Sequence, residues 1–263
     1  MICIGKGCQI DPTAQIGFRD GSIGDRTIIG KDVVIEGNYV EIGAESFIDA
    51  YAWIGGGSCF DEQAFLKAGD WLHMGRYSHI NTARGVTIGH EFGCGLGTRV
   101  FTHGAYQSVL DGFPAQWESV TIGNNVWMPN AWVNPGVTIG DNVVVAALSL
   151  VNKPLPAGCL AGGVPCKVIK ENCYPAKLDE LHLGIVISKI FQESVPDEPT
   201  QHNIIGLGSS FVIDDKTTFD LESKSIVGQV TNTTEAFKNQ LRRNGIRFRY
   251  IAKEMEYAPW DLA

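Results

Sequence analysis

The chain has 263 residues, with 21 Lys and Arg against 29 Asp and Glu, a net charge of −8 and 19% charged residues. So modest a charge excludes two classes: a protein that neutralises nucleic-acid phosphates needs a dense cationic face, and a disordered acidic chain needs far more uncompensated charge. Glycine is the unusual component, at 31 residues where an average share of about 7% would give fewer than 20.

The opening MICIGKGCQI has no basic region followed by a long apolar run, and no apolar stretch reaches the 18 residues of a membrane span. A soluble cytoplasmic protein without membrane insertion is expected. The seven cysteines, at 3, 8, 59, 94, 159, 166 and 173, form no CxxC pairs or Cys/His sets, so they read as free thiols rather than a disulfide framework or a zinc site.

From Ile4 onward an apolar residue returns every six: Ile4, Ile10, Ile16, then Ile23, Ile29, Ile35, then Ile42, Ile48, Ile54, Phe60, Leu66 and Leu72. The register resumes at Ile88, Cys94 and Val100, and again at Ile122, Met128, Val133, Ile139, Val145 and Val151. Two seven-residue steps, at 16–23 and 35–42, and one five-residue step, at 128–133, interrupt it; the short step predicts a local bulge. Small or β-branched residues such as Thr27, Val33, Ser46, Ala52, Ser58 and Ala64 sit four places after the apolar one. A period of six fits neither a helix nor an ordinary strand. It describes short straight runs joined by sharp corners, three to a coil, each coil stacked on the last at strand spacing of about 4.8 Å. Corners need positive φ or the absence of a Cβ, and the glycines that follow the apolar residue are expected to supply both.

These hexads, with IGNNVW at 122–127, NPGVTIGDNVVV at 134–145 and AGGVPCKVIK at 161–170, resemble the hexapeptide-repeat acyltransferases. The last third is similar to the galactoside and maltose O-acetyltransferases and the nucleotide-sugar N-acyltransferases. The resemblance implies a left-handed parallel β-helix over residues 1–173, against the usual right-handed crossover, and a homotrimer with active sites between neighbouring prisms.

The largest excursion is the loop 104–119, GAYQSVLDGFPAQWES, directly after His103. The resemblance assigns His103 as general base, and an imidazole near pKa 6.5 suits removal of a proton from an attacking hydroxyl or amine. Asn81, His79, His90, Tyr106 and Asp111 are candidate acceptor-binding residues. For acyl-CoA as co-substrate the resemblance points to Trp127 at the thioester end, to Asn130, Ala147, Asn152 and Lys153 along the arm, and to Lys167 and Lys170 for the phosphates. No metal is expected. A metal-dependent trimer would need ligands such as His73, His79, His90 and His103 shared across an interface.

After Ile169 the hexads stop, and residues 174–263 read as a small α+β domain: a helix over 178–191 with Leu181, Ile185, Ile187 and Ile190 on its apolar side, a loop SVPDEPTQHN at 194–203, and strands at 211–213, 217–221 and 225–230. A capped helix follows from Thr231 through Arg243 to Asn244-Gly245, then an alternating strand at 246–251. This unit caps the solenoid or adds acceptor contacts; Arg242, Arg243, Arg247 and Arg249 read as an exposed face, with diphosphate pairing as the alternative. The fold class expected is mainly β, a left-handed parallel β-helix with a small C-terminal α+β domain. The added domain and a His-Gly pair where the O-acetyltransferases have His-Pro tilt the expectation toward a CoA-dependent N-acyltransferase acting on a nucleotide-linked amino deoxysugar. A sugar O-acetyltransferase is the alternative, and a non-catalytic or metal-dependent trimer a further one.

Overall fold

The computed structural model describes residues 1–195 and 203–260. The chain divides into two compact units, Met1–Ala176 and Lys177–Ala263.

The first unit is a parallel β-helix whose three inner ladders are the three sides of the expected coil. One runs through Ile4, Ile23, Ile42, Ala68, Ile88, Ile122 and Ile139. A second holds Ile10, Ile29, Ile48, Met74, Cys94 and Met128. The third holds Ile16, Ile35, Ile54, Ile80, Val100, Val133 and Val151. From Ile23 on, these side chains are buried and form one continuous core. Each coil covers the apolar face of its neighbour, which is how a solenoid removes that surface from water.

Three expectations change. After Ile54 the ladder positions are Ala68, Met74 and Ile80, not Phe60, Leu66 and Leu72; Phe60 is 39% exposed. An excursion at Gly55–Gln63 inserts extra residues at a corner and restarts the register, leaving Ser58 exposed with φ 62°. The five-residue step makes no bulge, because Ala131–Val133 pairs in unbroken register with Ser149–Val151; the missing residue is taken from the Pro129–Asn130 corner. The seven-residue steps fall inside the nine-residue strands Gln15–Ile23 and Val34–Ile42, where Gly21 and Gly37 at φ 131° and 148° turn a corner without leaving the sheet.

Of the two reasons expected for glycine, the missing Cβ is the one that the regular corner uses. At the corner between the first two ladders, Gly24, Gly43, Gly89, Gly123 and Gly140 do not have positive φ. A Cβ there would come within 2.4–2.7 Å of backbone nitrogen in the next coil, a distance that real Cβ atoms do not reach. Positive φ belongs instead to the residue two places on, Arg26, Glu45, Glu91, Asn125 and Asn142. The corners require close approach of backbone to backbone, and only glycine allows it.

In the second unit α1 (Glu180–Ser194) is capped by Asp179, whose side chain accepts the His182 N–H. Its buried residues are Ile187, Ile190 and Phe191. Leu181 and Ile185, expected inside, are 71% and 58% exposed, so the apolar stripe is rotated; with Phe211 they line a groove of 570 Å³. A six-stranded antiparallel sheet follows. It includes strands at Ile204–Leu207 and Glu256–Pro259 that the sequence reading missed. The expected loop at 194–203 lies largely outside the described residues. Thr231 and Thr234 form a reciprocal capping box for α2 (Asn232–Arg243), which buries Phe237 and Leu241 against Phe219 and Phe191. The expected strand 246–251 is displaced to Tyr250–Lys253. It turns at Glu254 and Met255, both at positive φ, and pairs with Glu256–Pro259.

Candidate active site

The long excursions of the solenoid share one corner. After the ladder of Ile54, Ile80 and Val100 the chain departs as Gly55–Gln63, as Asn81–Gly85 and as the loop 104–119. Stacking these departures brings together side chains that regular hexads would keep apart. His103–Gly104 pairs antiparallel with Gln116–Trp117, so the base of the long loop is closed. The N–H of Glu118, donating to the Thr102 carbonyl at 3.0 Å, fastens it again.

Asn81 organises this corner from a position 1% exposed. Its amide nitrogen donates to the Gly55 carbonyl at 3.2 Å, which fixes the amide orientation. Its Oδ1 then accepts from the Thr102 hydroxyl at 2.9 Å and from Nδ1 of His103 at 2.8 Å. A carbonyl oxygen only accepts, so Nδ1 of His103 carries the proton and Nε2 holds the lone pair. Burial lowers the His103 pKa below its ordinary value, and the Arg84 guanidinium lowers it further. The ring is therefore a neutral, oriented base at neutral pH.

Trp117 returns from the far end of the loop to stack on His103, with centroids 4.8 Å apart and an angle of 18°. The Arg84 guanidinium also lies on that indole, at 4.8 Å, and Asp61 holds it at 3.3 Å from the neighbouring excursion. Asp61 and Arg84 are thus residues of this corner that the sequence reading did not select. The available signal was the second interruption, GGGSCFDEQ at 55–63, which the false register through Phe60 concealed.

His79 lies beside this group. Its ring stacks on Trp53 at 4.4 Å and its Nε2 is 3.4 Å from the Gly55 carbonyl. Burial lowers its pKa, while the Gly55 contact opposes that shift. Trp53 in turn donates from Nε1 to Glu36 at 3.1 Å. Phe101 meets His79 in a T-shaped contact and stacks on Trp132, 4.9 Å away, linking the corner to a groove of 280 Å³ that Arg99, Asn130, Trp132, Leu148 and Leu150 help to line.

The remaining expected site residues are not brought to His103. His90 stands in the regular corner, where its Nδ1 accepts the Asp70 N–H at 3.0 Å. Its ring stands 3.6 Å from the Asp70 carboxylate, but an accepting Nδ1 makes this a ladder hydrogen bond rather than an ion pair. Asp25, Asp70, Asn124 and Asp141 accept backbone N–H groups in the same ladder. Tyr106 is 96% exposed at the loop tip, and Asp111 ends a short 3-10 turn, exposed. His73 stacks on Phe47 in a different face, and among the described residues no three His, Cys, Asp or Glu side chains converge as metal ligands. Of the expected acyl-CoA contacts, Asn130 lines the groove. Trp127 lies across Gly93, while Ala147, Asn152, Lys153, Lys167 and Lys170 are exposed.

No family model matches the chain. It is 31% identical over 165 residues to the galactoside O-acetyltransferase of Escherichia coli K12, a match covering 56% of this chain and 79% of that enzyme. A putative lipopolysaccharide-biosynthesis O-acetyltransferase, WbbJ, of the same organism is 32% identical over 125 residues, 42% of this chain and 63% of the relative. Among solved structures, the AntD N-acyltransferase of Bacillus cereus, in complex with dTDP and coenzyme A, gives a TM-score of 0.43 at 20% identity, covering 71% of this chain and 91% of that one. A maltose O-acetyltransferase from Clostridium difficile 630 gives 0.34 at 19% identity, with coverages of 65% and 66%. With coils, corner site and the galactoside-enzyme relationship in agreement, the chain belongs to the hexapeptide-repeat acyltransferases.

Proposed function

We propose that this protein transfers an acyl group, acetyl or similar, from coenzyme A to a hydroxyl borne on a sugar, with His103 as general base. The observation that carries the reading is the Asn81–His103 hydrogen bond, which puts the ring proton on Nδ1 and leaves the lone pair on Nε2. A hydroxyl is a poor nucleophile until a base takes its proton, so an oriented neutral imidazole matters most for this acceptor. The sugar O-acetyltransferase, second choice from sequence alone, therefore moves ahead of the amino-sugar N-acyltransferase. Names among the relatives support both.

In the proposed reaction the acceptor oxygen gives its proton to Nε2 of His103 as it attacks the thioester carbonyl. The tetrahedral adduct then collapses, the carbon–sulfur bond breaks, and the departing thiolate recovers the proton from the imidazolium. Nδ1–H stays on Asn81 throughout and keeps the ring in its tautomer. The groove beside Trp132 and Asn130 is the place for the pantetheine arm, and assembly as a homotrimer would set a neighbouring prism against it.

Free-thiol release from acetyl-CoA, measured with methyl galactoside, maltose and dTDP-4-amino-4,6-dideoxyglucose, tests the reading. Turnover confined to the amino sugar would overturn it in favour of N-acylation. Turnover with a hydroxyl acceptor that survives His103→Ala would overturn the assignment of the base.

A further inference from the structure

Three consecutive glycines, 55 to 57, face the His103 corner, and two of them have structural reasons. Gly55 has φ 132°, and a Cβ there would strike Glu36 at 2.4 Å. Gly56 has φ 98°, and a Cβ would crowd Asn81 Nδ2 at 3.1 Å and His79 Nε2 at 3.3 Å. Gly57 differs on both counts. It does not have positive φ, and its backbone is exposed. The atoms a Cβ would meet within 4 Å are Cε1 and Nε2 of His103, both at 3.9 Å, an ordinary van der Waals distance. The fold would therefore accept a side chain here, and that side chain would stand beside the basic nitrogen.

We propose that residue 57 is glycine to keep the approach to Nε2 of His103 open, making Gly57 a specificity-determining wall of the acceptor subsite. The proposal rests on the reading of His103 as base. A nucleophile must come to about 2.8 Å from Nε2 to hand over its proton. When the nucleophile stands on a sugar ring, the flanking ring carbons need room as well. The γ-carbons of a valine at 57 would take that room, whereas the lone methyl of alanine would leave most of it.

The test compares Gly57→Ala and Gly57→Val with the unaltered protein by two readouts. The first is carbethoxylation of His103 by diethyl pyrocarbonate, quantified by peptide mass spectrometry with His90 as internal control; it needs no acceptor and no activity. The second is the kinetics of whichever panel acceptor turns over, with acetyl-CoA varied separately. Gly57→Val is expected to slow His103 labelling at least fivefold and to lower kcat/KM for the acceptor at least tenfold. The KM for acetyl-CoA, the His90 labelling rate and the melting temperature should hold, and Gly57→Ala should lie between. Unchanged His103 labelling in Gly57→Val would overturn the proposal whatever the activity does. Loss of labelling together with full activity in His103→Ala would overturn the base assignment instead, so the two failures are distinguishable. If the valine variant does not fold, the labelling rate and acceptor KM of Gly57→Ala decide, and no change in either counts against the proposal.

Discussion

Two corners of one solenoid, built from the same hexads, have taken opposite courses. In the regular corner the coils repeat a glycine that lets backbones approach and a residue at positive φ, and Asp25, Asp70, His90, Asn124 and Asp141 add a side-chain acceptor that ties adjacent coils. In the His103 corner the coils depart from the pattern at Gly55–Gln63, Asn81–Gly85 and the loop 104–119, and side chains far apart in sequence converge. Repetition at a corner serves stacking. A functional group needs the repeat to be broken where neighbouring coils can each contribute one side chain. The two histidines make the contrast concrete: His90 uses its ring lone pair to accept the Asp70 N–H in a slot that Asp and Asn fill elsewhere, while the lone pair on Nε2 of His103 meets no hydrogen-bond donor among the described residues.

The largest expected effect separates these histidines. His103→Ala should lower kcat/KM with a hydroxyl acceptor by roughly 10²–10⁴-fold, the usual worth of a positioned general base. His90→Ala should leave it within about twofold and lower only stability, by about 1 kcal/mol, for one lost ladder hydrogen bond. Steady-state kinetics and urea unfolding of both variants check the pair, and equal losses of activity would break the comparison.

Next in size is Asn81→Ala. It would leave Nδ1–H of His103 without its partner and take one hydrogen bond each from the Thr102 hydroxyl, which keeps the Asn81 main-chain carbonyl, and from the Gly55 carbonyl, which keeps the Thr82 N–H. Unsatisfied buried groups cost about 1–3 kcal/mol each, so stability falls. The unrestrained ring should also lower kcat by roughly tenfold to a hundredfold, with little change in the KM for acetyl-CoA. Asn81→Asp, which keeps an acceptor for Nδ1–H, should recover part of kcat and shift the acid limb of the pH profile upward, since a carboxylate favours the imidazolium. A purely structural Asn81 would show neither response.

In the regular corner Gly89→Ala should cost about 1–3 kcal/mol, as overpacking does, because its Cβ would meet Asn124 backbone nitrogen at 2.7 Å. Gly57→Ala should cost almost nothing by the same unfolding measurement. The sequence marked both residues alike as glycines.

Much of the fold was legible for a simple reason: one buried residue in six, repeated on three faces, is a pattern that few other structures require. Where the pattern misled, a competing apolar series was present. Phe60, Leu66 and Leu72 keep the six-residue spacing, yet Ala68 and Met74 occupy the ladders, and nothing in residue type favours an alanine over a leucine. In the second unit the turn at Glu254-Met255 was hidden because both residues adopt positive φ without being Gly, Asn or Asp. At the site, the resemblance pointed to His103, and to Asn81 as an acceptor contact where the structure has it buried and bonded to the His103 ring. The contact between Trp117 and Arg84 could not be read, since the indole meets the guanidinium only because the loop 104–119 closes back on its own base.

The smallest expected effect is a shift in pH dependence. As the proposed base, His103 would work only when neutral, so kcat/KM should fall as pH drops through its pKa. Burial, and then Arg84, place that acid limb below the ordinary histidine value of 6.5. Arg84→Met removes the second cause and leaves the first. The limb should therefore move up and remain below 6.5, with activity at pH 8 little changed and activity near pH 5.5 reduced by a few fold. Methionine keeps an apolar stem against Trp117, so the stack on His103 survives and the plateau above the limb reports on geometry separately from charge. A limb that moved down would contradict the placement of Arg84, because removing a nearby cation can only make the imidazolium easier to form.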